Sequence, residues 1–329
     1  MQNILVLGIL TCDISMLGVS RTPTPGSAVP VDRVTMQCGG NAANCAMDIA
    51  KLGLPVTLCG RIGSDGFGDV VVKALSGYPL LDNRVVRDPD PQYNTTTSIL
   101  SINPSGERGI YSSLGATFRF CREDLPEDAL NRADLIFISG ALLLNGFEPQ
   151  AEADFLREMQ SKGKFTCMDT CYDTEEIWLP KIRPALPYLD LFMPSYNEAV
   201  KLTGRQDLND IADVLLSTGV RNLVIKVGSN GAYLCPGTGP RVLIPAYRYK
   251  TCVDTTGAGD SFCAGLLCGL ASGRSLADAV RLGNMVGATC VTKVGGQAGL
   301  LSLDETLSLL DCCPTGPGTI EVLKGGPVQ

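Results

Sequence analysis

Short runs of β-branched and leucine residues alternate along the chain with longer stretches in which small and apolar residues recur at helical spacing. Residues 4–10 read as a first strand, and 41–52 as a helix whose Ala42, Ala46, Ile49 and Ala50 share a face and which stops at Gly53. The same rhythm predicts a strand over 56–62, a helix over 68–75, a strand over 135–139, a helix over 151–162, and strands over 165–169 and 189–193. It continues with a helix opening at 198–202, another over 211–217, and a strand over 222–226. Such repetition predicts an α/β three-layer sandwich, a mostly parallel central sheet flanked by helices.

Two segments break the rhythm. Residues 15–36 are rich in Pro, Gly, Thr and Val, and 95–120 alternate as exposed strands do around the turn-forming Asn103-Pro104-Ser105-Gly106. Both read as parts of a small β-sheet lid inserted in a single domain covering residues 1–329. A lid keeps water out of a site, which group transfer to any other acceptor requires. The plainer alternative is a hairpin without a role. An apolar lid face would be covered by pairing two copies, so a homodimer through the lid is expected. The tail after Cys313 holds Pro314, Gly316, Pro317 and Gly318 and then a short strand-like run, 319–323.

Charge and composition narrow the chemistry. The net charge of −7 argues against nucleic acid or an anionic membrane surface as partner. The apolar runs fall short of the roughly 20 residues a membrane span needs. The N-terminal run lacks a basic leader and reads as a strand, and the fourteen cysteines sit mostly in apolar segments, as reduced thiols of a cytoplasmic protein do. The chain contains no histidine. That excludes Ser-His-Asp and Cys-His catalysis and leaves Asp, Glu, Lys, Tyr or Cys as general base.

Four glycine-containing stretches are candidates for a site. In 254–262, DTTGAGDSF, the turn Gly257-Ala258-Gly259 precedes a helix starting near Asp260. Free amides at a helix start, approached closely over glycine, form an anion hole, and Asp260 beside it can accept a hydroxyl proton. The structural alternative is that Asp260 or Ser261 caps the helix. In 39–44, GGNAAN, Gly40 permits close approach and Asn41 and Asn44 can bind sugar hydroxyls, or cap a tight turn. Residues 60–68 read as a structural turn with Asp65 capping a helix. Residues 226–231, KVGSNG, shape a nucleotide pocket or a plain turn. No Walker loop occurs and no GxGxxG follows the first strand, which excludes P-loop enzymes and disfavours a dinucleotide oxidoreductase.

The order of these blocks resembles the ribokinase-like (PfkB) family of carbohydrate kinases: G-G-x-x-x-N-x-A at 39–46, G-x-I-G-x-D-x-x-G at 60–68 and D-T-x-G-A-G-D-x-F at 254–262. The resemblance covers residues 4 to about 310. It implies ATP-dependent phosphorylation of a hydroxymethyl group, with Asp260 as general base and Gly257, Ala258 and Gly259 as the anion hole. It implies that Asp13, Gly40, Asn41 and Asn44 hold the sugar, and that Ser195, Lys226, Gly228, Ser229, Gly231 and Asn284 line the ATP site. Glu198 would order Mg2+ through water. Asp254, Thr256, Cys290, Lys293, Gly295 and Gly299 fall where members of the family bind K+, largely through backbone carbonyls.

Two departures shape the expectation. The family's N-x-x-E is here Ser195-x-x-Glu198, which replaces an amide by a hydroxyl. Where family members acting on acidic sugars carry Arg, this chain has Asp173 in DTCYD, which favours a neutral sugar or a nucleoside. A nucleobase would stack on Tyr93, Tyr111 or Phe118, unless these form the core of the lid. The alternative from another class is a non-catalytic sugar-binding regulatory protein, against which the intact Asp260 argues.

Overall fold

The structure, a computed structural model, describes residues 2–105 and 107–316; the strand-like run 319–323 lies outside the described residues. A large sheet runs in the order Val242–Ile244, Ala232–Pro236, Asn222–Lys226, Leu191–Phe192, Phe165–Met168, Leu135–Ser139, Ile4–Gly8, Val56–Cys59, Leu81–Asn83. Strands from Asn222–Lys226 to Leu81–Asn83 are parallel, and the two at the other edge are antiparallel. Alternation along the central strands explains why both faces are covered. Ile4, Val6, Leu135 and Phe137 enter one core with helices Asn41–Leu52, Ala258–Ala271 and Leu276–Cys290. Leu5, Leu7, Ile136 and Ile138 enter the other with Pro149–Ser161, Tyr196–Thr203 and Leu208–Leu216. Each such buried Leu or Ile contributes about 1.5–3 kcal/mol, which fixes strand register on both faces.

The two segments that break the rhythm form a second, four-stranded sheet, ordered Arg33–Gly39, Thr11–Leu17, Thr97–Ile102, Arg108–Ser113. Only Ile9 and Leu10 separate Ile4–Gly8 in the large sheet from Thr11–Leu17 in the small one. Asp65 fixes the other junction. It caps helix Gly66–Leu75, accepting from Gly68 N at 2.8 Å, and also accepts from Thr95 N and Oγ1, both at 2.7 Å, two residues before the lid strand begins.

Several expectations need revision. The strand expected over 56–62 breaks at Gly60, where any β-carbon would collide with Leu10; Arg61–Gly63 pairs instead with Val86–Asp88 in a separate two-stranded sheet. The end of the 95–120 segment is a 3-10 turn, Gly115–Arg119, rather than strand. The antiparallel edge of the large sheet and helices Leu276–Cys290 and Leu303–Leu310 go beyond the sequence reading. Among the described residues all fourteen cysteines are free, and no helix is long and apolar enough to cross a membrane.

Candidate active site

The C-terminal ends of the parallel strands gather the chemistry. Asp169 follows Phe165–Met168, Ser195 follows Leu191–Phe192, and Lys226 ends Asn222–Lys226; Ser195 and Lys226 lie side by side in a parallel bridge. Strand order reverses between Ile4–Gly8 and Leu135–Ser139, which opens a crevice there. Helix Asn41–Leu52 begins over this crevice. Gly40, at φ 93°, places its α-carbon where a side chain would press on the Ile9 carbonyl at 2.5 Å.

Helix Ala258–Ala271 starts opposite. Gly257 stands at its N-cap with φ 75° and ψ 0°, and no side chain caps the helix. The capping alternative for Asp260 and Ser261 is therefore overturned. Asp260 is the third helical residue and receives Asn41 Nδ2 at 3.0 Å and Asn44 Nδ2 at 2.8 Å, one on each oxygen. Asn41 and Asn44 reach it together because positions three apart share a helix face. Ser261 Oγ donates to Asp48 Oδ2 at 2.6 Å. First-turn amides lack partners within their own helix, so the helix start presents positive dipole ends beside a carboxylate, with Ala258 N donating back to the Thr255 carbonyl at 3.2 Å. Burial raises the pKa of Asp260 above the usual aspartate value; Asn44, Lys226 and Asn41 oppose this, and Glu198 adds to it.

A buried ion pair lies behind the turn. Lys226 Nζ donates to Asp169 Oδ2 at 2.6 Å, with the side chains 12% and 2% exposed. Cys263 Sγ donates to the same oxygen at 3.5 Å. A β-carbon on Gly259 would lie 3.7 Å from Lys226 Nζ, so the ammonium borders the glycine turn. Burial alone would lower its pKa; the Asp169 and Glu198 carboxylates outweigh that and hold it raised. Glu198 Oε2 accepts from Ser195 N at 2.8 Å and Thr170 Oγ1 at 3.0 Å, while Ser195 Oγ accepts from Glu198 N. Ser195 thus closes a capping box of helix Tyr196–Thr203.

Asp13 lies on the lid strand Thr11–Leu17, against Gly39, and its Oδ1 accepts from Thr11 Oγ1 at 2.8 Å. Burial raises its pKa, offset by hydrogen bonds from Thr11 and Ser98. On the far side of Lys226, Gly228 and Ser229 are exposed in a 3-10 turn that ends at Gly231, φ 105°. Asn284 is buried and donates to the Ile244 and Pro245 carbonyls at 2.9 and 3.1 Å, so its amide supports this wall from behind.

Around the third group, Asp254 Oδ1 accepts from Thr256 N and Oγ1 at 2.9 and 2.7 Å, and Oδ2 from Gly295 N at 3.0 Å. Cys290 Sγ donates to Gly296 O at 3.0 Å, and the Lys293 side chain is exposed. A β-carbon on Gly299 would meet the carbonyls of Thr289 and Cys290 and the Thr292 hydroxyl, so oxygens converge on that glycine.

Asp173 behaves otherwise than its position in the motif suggests. It is buried, accepts from the amides of Glu175, Ile177 and Trp178, and pairs with Lys181 at 3.5 Å. Its charge is neutralised within its own loop and does not decide between neutral and acidic acceptors. The lid aromatics do not form a core: Tyr111 and Phe118 are exposed, and Tyr93 lies under the Arg119 guanidinium, 4.6 Å from its ring centre. Sequence reasoning gave no role to Asp169, Asp48 or Gln297. Only Asp169 carried a signal, as a carboxylate directly following the short, mostly buried parallel strand Phe165–Met168.

A family model described as pfkB family carbohydrate kinase matches residues 1–303. The 2-dehydro-3-deoxygluconokinase of Bacillus subtilis is 28% identical over 286 residues, 82% of this chain and 86% of that protein. The ribokinase of Staphylococcus aureus is 26% identical over 317 residues, 92% of this chain and 98% of that protein. The solved structure of Arabidopsis thaliana ribokinase complexed with ribose and ATP superposes with a TM-score of 0.80 at 22% identity, covering 94% of this chain and 98% of that one.

Proposed function

Since the chain belongs to the pfkB family of carbohydrate kinases and is a sugar kinase of ribokinase-like fold, we propose that it transfers the γ-phosphoryl group of ATP to a hydroxymethyl group of a sugar, with Asp260 as general base. The observation that carries this reading is the carboxylate of Asp260, clamped by Asn41 and Asn44 and set beside the uncapped Gly257-Ala258-Gly259 turn. Asp260 accepts the proton of the acceptor hydroxyl. The turn amides and the Lys226 ammonium hold the charge of the transferring group. Asp13, Gly40, Asn41 and Asn44 hold the acceptor, and the wall of Ser195, Gly228, Ser229, Gly231 and Asn284 holds the nucleotide.

Mg2+, when bound, neutralises part of the phosphate charge. Among the described residues no cluster of three acidic or thiol side chains offers a protein cage. Glu198, with one oxygen already holding Ser195 N and Thr170 Oγ1, suits contact through water, the mode Mg2+ prefers. The Thr289 and Cys290 carbonyls near Gly299, the Thr256 carbonyl 3.6 Å from Cys290 Sγ and the Asp254–Gly295 N bond supply the carbonyl-rich chemistry that a K+ site of Asp254, Thr256, Cys290, Lys293, Gly295 and Gly299 would use.

The lid completes the proposal. Residues 15–36 and 95–120 act as a closure over the acceptor. In the register of the small sheet, Asp13 lies on one face, while Ile14, Val34, Met36 and Tyr111 share the other. Val34, Met36 and Tyr111 are exposed, so pairing of two lids in a homodimer would cover them. The buried free thiols suit a reducing compartment such as the cytoplasm.

The test is ADP release against pentoses, hexoses, nucleosides and a sugar acid, with Mg2+ and with or without K+. A sugar or sugar acid should give the highest kcat/KM, and preference for a nucleoside would refute the assigned acceptor. Asp260→Asn should lower kcat by about 10²–10⁴, and a loss of less than about tenfold would remove Asp260 from the base role. Turnover requires the ionised carboxylate, so kcat should fall with falling pH at a midpoint above the ordinary aspartate value of 3.8.

A further inference from the structure

The side-chain amide of Asn44 can support Asp260 only in one of its two orientations. Its Nδ2 must face the carboxylate; turned over, its Oδ1 would repel it. The carboxylate itself favours that orientation, and a second bond from outside both motifs holds the other end of the amide. Gln297, in the loop after helix Leu276–Cys290, donates from Nε2 to Asn44 Oδ1 at 2.9 Å. The loop itself is tied back to the Asn44 helix, because Lys51 Nζ donates to the Gln297 carbonyl at 2.7 Å. The order is thus Gln297 to Asn44 Oδ1, then Asn44 Nδ2 to Asp260 Oδ2 at 2.8 Å.

We infer that Gln297 is a positioning residue for the phosphoryl-transfer reaction, fixing the Asn44 amide so that it donates to the general base. This rests on the reading of Asp260 as base. Among the interactions that favour the ionised form of Asp260, that of Asn44 is the largest, ahead of Lys226 and Asn41. The other charged groups facing Asp260 come from different elements: Lys226 from its strand end, Asp169 beyond the neighbouring strand, Glu198 from helix Tyr196–Thr203 and Asp48 from the Asn44 helix itself. None of them touches Gln297 in a way that would substitute for its bond to Asn44.

The experiment is a mutant cycle read as the pH profile of kcat on the full chain with its best acceptor. Gln297→Ala, and Gln297→Met, which keeps the volume without the donor, should each lower kcat by about fivefold and raise the acid midpoint by about 0.7 of a pH unit, the worth of a hydrogen bond between neutral amides passed on to the base. Gln297→Glu should do more harm than Gln297→Ala, because its carboxylate draws Asn44 Nδ2 away from Asp260. In an Asn44→Ala background, Gln297→Met should move the midpoint no further. Thermal melts of every variant separate these effects from loss of fold. An unmoved midpoint in Gln297→Met, or equal shifts with and without Asn44, overturns the inference. Asp260→Asn in the same series keeps the two readings apart. If it retains turnover within about tenfold the base assignment fails; if it does not, while the cycle is additive, only the role of Gln297 fails.

Discussion

Replacing Lys226 by Met tests stability and catalysis in one variant. The ammonium lies 2.6 Å from Asp169 Oδ2, and the aspartate side chain is 2% exposed. Removing one partner of a buried pair strands the other charge and costs about 3–5 kcal/mol. Asp169 keeps a hydrogen bond from Thr170 N at 2.8 Å and a longer one from Cys263. Burial already holds its pKa above the usual 3.8, and Lys226 is the strongest opposing influence; without Lys226 the pKa rises further. A carboxyl whose folded pKa exceeds its unfolded one contributes stability fully below the unfolded value and loses it as pH rises through the folded one. The deficit of Lys226→Met should therefore be small near pH 5 and approach its full size by pH 8, measured by urea unfolding across that range. Asp169→Asn added to Lys226→Met should recover much of the stability at pH 8, since a neutral amide replaces the stranded charge. Turnover should stay low in the double variant, because the cation bordering Gly259 is still missing. A deficit of equal size at pH 5 and pH 8, or a double variant less stable than Lys226→Met, would refute the reasoning.

Two further substitutions probe the frame of the site. Gly257→Ala places a β-carbon 2.9 Å from Gly296 Cα at a φ of 75°, and should cost about 1–2 kcal/mol in backbone strain while raising KM for ATP; an unchanged KM would detach the turn from the phosphate. Glu152→Gln concerns helix Pro149–Ser161, which supplies no site residue. Glu152 is 3% exposed, its Oε1 has no hydrogen-bond partner, and burial raises its pKa from 4.5 to about 8, with Lys181 opposing. The wild type should lose stability as pH rises from about 4.5 through 8, by ~1.4 kcal/mol for each pH unit across that window. The Gln variant should lack this loss and be the more stable form at pH 8 with kcat unchanged, as denaturation and turnover measured side by side will show.

The central strands were legible because their apolar runs are short, fully buried and bounded by glycine or polar residues: Asn222–Lys226 and Leu135–Ser139 fall where the pattern places them. The edge strand Val242–Ile244 was not, being short and only partly buried. Gly60 reads as one turn residue among several, and only the position of Leu10 shows why no side chain fits there. The site was legible where local chemistry is dense, as in Asn41, Asn44 and Asp260. Asp169, Asp48 and Gln297 were hidden because their partners lie 57, 213 and 253 residues away, and only Asp169 has a local mark, its place directly after a strand. Asp173 misled for a different reason: its neutralising Lys181, eight residues on in helix Leu179–Ile182, lies just outside its motif.

The two-residue join between Ile4–Gly8 and Thr11–Leu17 has a practical consequence for redesign. Under the proposed mechanism it joins a body that carries the glycine turn, the buried ion pair and the Gly40, Asn41 and Asn44 side of the acceptor site to a small sheet that adds Asp13. Acceptor preference should be open to exchange by grafting lid strands from relatives onto this body, with the Ile9–Leu10 join and the Asp65–Thr95 clasp kept as splice points.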